Sequence, residues 1–136
     1  MANSLSTRKL FSIVFLICLT FMSPLEAKWT LITDGYLGSV FLDFDTLKAK
    51  KKSVTVWQLQ DFSKVDLNGV RSRRLLIEVN CLKKTRRIIY LSGHSEQMAK
   101  GKVILINAKP SIWEEALPKS LAEKVMIAVC KNNRSF

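Results

Sequence analysis

The sequence predicts an α+β domain, and three observations lead there. Short β-rich segments separated by turn residues fill most of the chain after residue 27. One amphipathic helical segment follows them near the C-terminus. The order, many strands and then one helix, is that of a sheet with a helix docked on it.

Ahead of the domain stands an export signal. Arg8 and Lys9 supply a positive start, and Leu10 to Met22 is an apolar run without a charge. Ser23-Pro24-Leu25-Glu26-Ala27 then breaks the helix and offers a small residue to the peptidase. The run is shorter than the roughly 20 apolar residues that a membrane-spanning helix needs. The expected organisation is a signal peptide over residues 1–27 and one domain over 28–136, with no transmembrane segment after cleavage. An uncleaved anchor is the alternative. A lipid on Cys18 is disfavoured, because bulky Ile17 precedes it.

Charge and cysteines narrow the class further. The chain carries 22 basic and 11 acidic side chains; Arg8, Lys9 and Glu26 depart with the signal, leaving the domain at +10. Such a charge keeps a protein soluble and favours anionic partners, either membrane surfaces or acidic polysaccharide. No nucleic acid is expected: the location is exported, and the charge runs lack interleaved aromatics. Cys18 also departs, so Cys81 and Cys130 remain, and two thiols in a small exported domain are expected to pair. The bridge would close a loop of about 50 residues, for which chain entropy gives about 4 kcal/mol. Two separate buried thiols are the alternative.

The elements follow in order. Trp29 to Thr33 is β-rich and stops at Asp34-Gly35, a hairpin-type pair. Tyr36 to Phe44 returns as a second strand, and Asp45-Thr46 turns the chain into the charged stretch Lys48 to Lys52. In the third strand, Ser53 to Phe62, the apolar phase slips from Val54 and Val56 to Trp57 and Leu59. That slip reads as a bulge or as a strand covered on both faces. Arg71 to Cys81 and Thr85 to Ser95 form a hairpin with Lys83-Lys84 at its tip. This register sets Cys81 opposite Arg86, Val79 opposite Ile88, Ile77 opposite Tyr90 and Glu78 opposite Ile89, with Leu75, Ile77 and Val79 facing the core. Lys102 to Asn107, with four consecutive apolar residues, reads as a central strand buried on both faces. The helix spans Leu121 to Lys131. Ser120 and Glu123 form a capping box; Leu121, Val125, Met126, Ala128, Val129 and Cys130 make the apolar arc, with Cys130 at its margin, and Glu123, Lys124, Ile127 and Lys131 face water. Asn132 to Phe136 reads as a frayed tail.

Several residues then form a recognisable set. They are Trp29 with Gly35, Val54 to Trp57 with Asp61, Arg71-Ser72, Glu78-Val79-Asn80-Cys81, and Met98 ahead of Gly101-Lys102-Val103. Pro110, Trp113, Pro118, Ser120 and Cys130 complete it. In this order the chain resembles the surface-adhesin protein E-like domain of bacterial exported proteins. The resemblance implies an antiparallel sheet of about six strands packed against one C-terminal helix, with one disulfide between Cys81 and Cys130. It also implies a binding role at or outside the bacterial envelope, since the family's namesake is an adhesin for host surface and matrix components. The chain departs from the family pattern at Asn80, commonly Asp, at Leu117-Pro118-Lys119-Ser120, commonly Pro-Pro-Gly-Ser, and in a Ser63–Asn68 loop without proline.

Chemistry for catalysis is sparse, and no enzyme is expected. His94 is the single histidine. Ser92, Ser95 and Glu96 are near it in sequence, but alternation along a strand prevents both serines from approaching one side of the ring. No metal site or cofactor is expected, since paired histidines, Cys-x-x-Cys and a Gly-rich phosphate loop are all missing. What remains is charge. Lys50, Lys51 and Lys52, with Lys48, lie in one loop; Lys83, Lys84, Arg86 and Arg87 lie at the hairpin tip. Arg71, Arg73 and Arg74 fall at the hairpin's opposite end, roughly 30 Å away. The clusters are expected to be separate unless the second and third strands bring the lysine loop beside one of them. The basic loops point to an anionic or extracellular-matrix-like surface as partner; solvated strand ends that block aggregation are the plainer reading. Of the tryptophans, at least two are expected in the core. The expected location is exported, either periplasmic or at the cell surface or secreted. The other functional reading is a structural or accessory periplasmic protein.

Overall fold

The computed structural model describes residues 27–133. The signal peptide expected over residues 1–27 lies outside them, save for Ala27, as do the last three residues of the expected tail. Six strands run in a simple antiparallel order: β1 (Thr30–Gly35), β2 (Gly38–Ala49), β3 (Val54–Phe62), β4 (Ser72–Asn80), β5 (Thr85–His94) and β6 (Val103–Asn107). A two-residue seventh strand, β7 (Glu114–Glu115), pairs with β5. The one long helix among the described residues, α1 (Leu121–Asn132), packs on β1, β2 and β4. The domain is the α+β sheet-and-helix fold expected.

One face of the sheet makes the core. Val40, Leu42, Val54, Val56, Leu75, Ile77 and Val79 meet Val125, Met126 and Val129 of α1, all buried. The alternation read from β4 therefore holds, and so does the apolar arc of the helix except at its first residue, Leu121, which is exposed. The Ser120 hydroxyl accepts from Glu123 N–H at 3.1 Å. Glu123 reaches back one residue further than a strict capping box, accepting from Lys119 N–H at 2.6 Å. Cys81 and Cys130 are bridged, with Cα atoms 5.8 Å apart, and tie the end of α1 to the end of β4.

Four expectations need correction. The first turn is Tyr36-Leu37 rather than Asp34-Gly35, because Gly35 still pairs with Gly38. Gly38 sits at φ +134°, and a Cβ there would run into the Asp61 carbonyl oxygen, so only glycine fits. Second, Asp45-Thr46 does not end β2. A bulge between Asp43 and Lys48 absorbs these residues, with Thr46 donating to Asp43 O at 2.6 Å and accepting from Trp57 N–H. Third, the β4–β5 register differs: Val79 faces Arg86, Glu78 faces Arg87 and Ile77 faces Ile88, and a bulge then sets Leu76 opposite Tyr90. The tip holds four residues, 81–84, closed by Asn80 Oδ1 accepting from Lys83 N–H and by Lys84 at φ 54°. Fourth, β6 is an exposed edge strand and not a central one; Val103, Ile104 and Ile106 are all exposed. The helix does not extend over it, and its half-buried Leu105 packs closely on Gly93, where a Cβ would stand 3.0 Å from the Leu105 side chain.

The phase slip in β3 has the second of its two explanations. The strand pairs with β4 without interruption from Val54 to Asp61. Val54 and Val56 face the helix, while Trp57 and Leu59 face the other side. There a short turn, Gln97–Ala99, packs on β3 and β4, with Met98 N–H donating to Asp61 Oδ1.

Candidate binding surface

The register brings the two lysine-rich segments to one end of the sheet. Ala49, Val54, Val79 and Arg86 form one row across β2 to β5, and Lys48, Thr55, Glu78 and Arg87 form the next. The connection 50–53 and the tip 81–84 therefore leave the sheet side by side. Lys50 N–H donates to Ser53 O at 2.7 Å, which tightens the first of them. The Arg71, Arg73 and Arg74 group stands toward the opposite end, as expected.

At the centre of this end is a buried acid. Glu78 accepts from Arg87 through Nε at 2.8 Å and Nη2 at 2.7 Å, from Ser53 Oγ at 2.6 Å, and lies 3.5 Å from Lys50 Nζ. Burial alone would raise its pKa. The Ser53 and Arg87 hydrogen bonds, with the Arg87 and Lys50 charges, outweigh that and hold the carboxyl below its usual range. Arg87 also lies over the Trp113 ring, 4.7 Å from its centre. Arg86 is half-buried on the helix side beside Glu114. Desolvation pulls its pKa down, with Glu114 opposing.

The seven candidate residues thus divide. Lys50 and Arg87 pair with buried Glu78, and Arg86 lies opposite Glu114, whose charge it feels. Lys51, Lys52, Lys83 and Lys84 are exposed, and none forms an ion pair among the described residues. Leu82, 76% exposed, belongs to the same tip as Lys83 and Lys84. Sequence reasoning missed Glu78 because the expected register set it against Ile89. The signal that could have found it is the cross-strand complement of Glu78 and Arg87.

The other expected features also have places. His94 ends β5, half-buried, with Nε2 2.9 Å from Ser92 Oγ. No group of three or more metal-ligating side chains occurs among the described residues. None of the three tryptophans joins the core cluster, contrary to expectation. Half-buried Trp57 and exposed Trp113 instead each hold an arginine, a use open to an amphipathic ring that keeps one face accessible. Among the described residues no helix is long and apolar enough to cross a membrane.

The family model for surface-adhesin protein E matches residues 29–131. Solved structures of Haemophilus influenzae protein E share the architecture. The selenomethionine form superposes with a TM-score of 0.58 at 12% identity, covering 79% of this chain and 89% of that one. A second structure of that protein gives 0.55 at 14% identity, with coverages of 79% and 87%. No curated protein matches the sequence.

Proposed function

The chain belongs to the surface-adhesin protein E family, and from that premise we propose that it is an exported, non-enzymatic binding protein whose partner is an anionic or matrix-like surface. Contact is made through the lysine end of the sheet. Lys51, Lys52, Lys83 and Lys84 meet the partner, while Lys50, Arg86 and Arg87 support the loops that present them. The observation that carries the reading is four exposed lysines without acid partners on two adjacent loops. Charge on such loops steers association and is weakened by salt over a Debye length of about 8 Å at physiological ionic strength.

The test is retention of the protein, expressed from its full-length sequence and purified as the cell leaves it, on heparin-like and anionic phospholipid surfaces across a salt gradient. Replacing Lys51, Lys52, Lys83 and Lys84 by glutamine should lower the eluting salt markedly. Retention that is absent, or insensitive to salt, would favour a structural or accessory periplasmic protein. Cell fractionation that finds the chain in the cytoplasm would remove the export premise.

A further inference from the structure

The sheet face turned away from α1 carries a second feature. Side chains alternate along β3, β4 and β5, so Trp57, Leu76 and Tyr90 stand in one row on that face, and Arg74 and Ser92 in the next. Val103 of the edge strand pairs with His94. Together these residues line an open recess of about 500 Å3. The Arg74 guanidinium lies 4.1 Å from the Trp57 ring centre, and Tyr90 meets Trp57 edge-to-face at 5.8 Å. Ser92 Oγ and His94 Nε2 form a hydrogen-bonded pair.

The charge balance here differs from the rest of the sheet. Arg73 has Asp66 and Arg87 has Glu78. The Arg74 guanidinium forms no ion pair or hydrogen bond with a described side chain, and no acidic side chain lines the recess. Arg74 Nε and His94 Nδ1 are buried atoms without hydrogen-bond partners. A half-buried cation is costly to leave uncompensated. Held against an indole, its planar fork is already oriented to donate two hydrogen bonds to a carboxylate.

We infer that this recess binds an acidic saccharide, with the sugar carboxylate taken by Arg74, hydroxyls by the Ser92–His94 pair, and the apolar sugar face by Trp57, Tyr90 and Leu76. The aromatic and aliphatic wall suits the C–H face of a pyranose and offers nothing to a bare inorganic anion. The Ser92–His94 pair supplies neutral donors and acceptors, since burial and then the Arg74 charge lower the His94 pKa and favour the uncharged imidazole. The recess is open along the sheet surface, which admits one residue of a longer chain but would leave an acyl tail wet. None of the seven residues of the lysine end lines it, so the inference goes beyond the surface reading and does not rest on it.

Tetragalacturonate, titrated into the purified protein at about 0.3 M salt, separates the two sites because that salt screens exposed lysines. Tryptophan fluorescence and amide chemical shifts should report saturable binding centred on Trp57, Tyr90, Ser92 and His94. Arg74→Gln and the methyl-esterified tetramer should each weaken binding about tenfold or more, the loss of one charge-assisted contact. The quadruple lysine variant should bind as the parent does. Equal affinity for the methyl ester, or for Arg74→Gln, overturns the inference. Acetate competing as well as the tetramer reduces the site to a simple anion site and overturns the saccharide assignment. Binding lost only in the lysine variant overturns this site and leaves the surface reading standing. If Arg74→Gln fails to fold, shift mapping on the parent protein and Ser92→Ala decide the matter, and shifts centred elsewhere overturn the inference.

Discussion

Glu78 and Arg87 face each other across β4 and β5, and at 2.7 Å they form the shortest ion pair among the described residues. Glu78 is buried and Arg87 is about one-third exposed, so the pair anchors the lysine end from beneath. Glu78→Gln keeps the shape and removes the charge. Hydrogen bonds to charged groups contribute about 1.5–3 kcal/mol, and the variant should lose stability in that range, read from the midpoint of chemical denaturation. It should also elute later from an anionic surface, because Arg87 and Lys50 lose their acid. An unchanged midpoint would show that the buried acid contributes no net stability.

Stability should fall in two steps as the pH is lowered. The folded His94 has a pKa below its usual 6.5, owing first to burial and then to Arg74. The unfolded chain therefore takes up that proton first, and the stability from neutral His94, complete above about 6.5, is lost as pH falls toward the lower folded value. Glu78 is likewise below its usual 4.5, because its hydrogen bonds and neighbouring cations outweigh burial. Its contribution is complete above about 4.5 and is lost as pH falls through the folded value. Thermal melts at pH 7.5, 5.5, 4 and 3 should show both steps. His94→Gln should remove the first, and Glu78→Gln should diminish the second, which it shares with Asp66, whose carboxyl the Val70 N–H hydrogen bond foremost holds below its usual 3.8; a parent curve flat from pH 7.5 to 5.5 would contradict the His94 assignment.

Reduction of the Cys81–Cys130 bridge should cost about 4 kcal/mol for a loop of 49 residues. Because the bridge ties the end of α1 to β4, amide exchange in α1 should accelerate more than in β3. Uniform acceleration would show that the helix stays docked without the bond.

Gln58 is fully buried on the core face of β3, and neither its Oε1 nor its Nε2 has a hydrogen-bond partner. An unsatisfied buried polar group costs about 1–3 kcal/mol. Gln58→Met, of similar length and apolar, should therefore raise stability by about 1 kcal/mol or more. A destabilised variant would mean that the amide is satisfied in solution by water.

The sequence by itself determined the class of the fold, the face of β4 that meets the helix, the capped start of α1 and the pairing of Cys81 with Cys130. Each of these follows from a local period, a local cap or a count. The tertiary structure alone decided the rest. The register of β4 on β5 depends on a four-residue tip and on a bulge, and neither leaves a glycine or asparagine signature in Leu82-Lys83-Lys84. That register sets Glu78 against Arg87 and not against Ile89. Four apolar residues in β6 read alike at a sheet's centre and at its edge, because what distinguishes the two is whether another element covers them. The expectation of at least two core tryptophans fails for the same reason: an indole is apolar enough to be buried and polarisable enough to hold an arginine, as Trp57 and Trp113 do, and only the spatial neighbours select between the two uses.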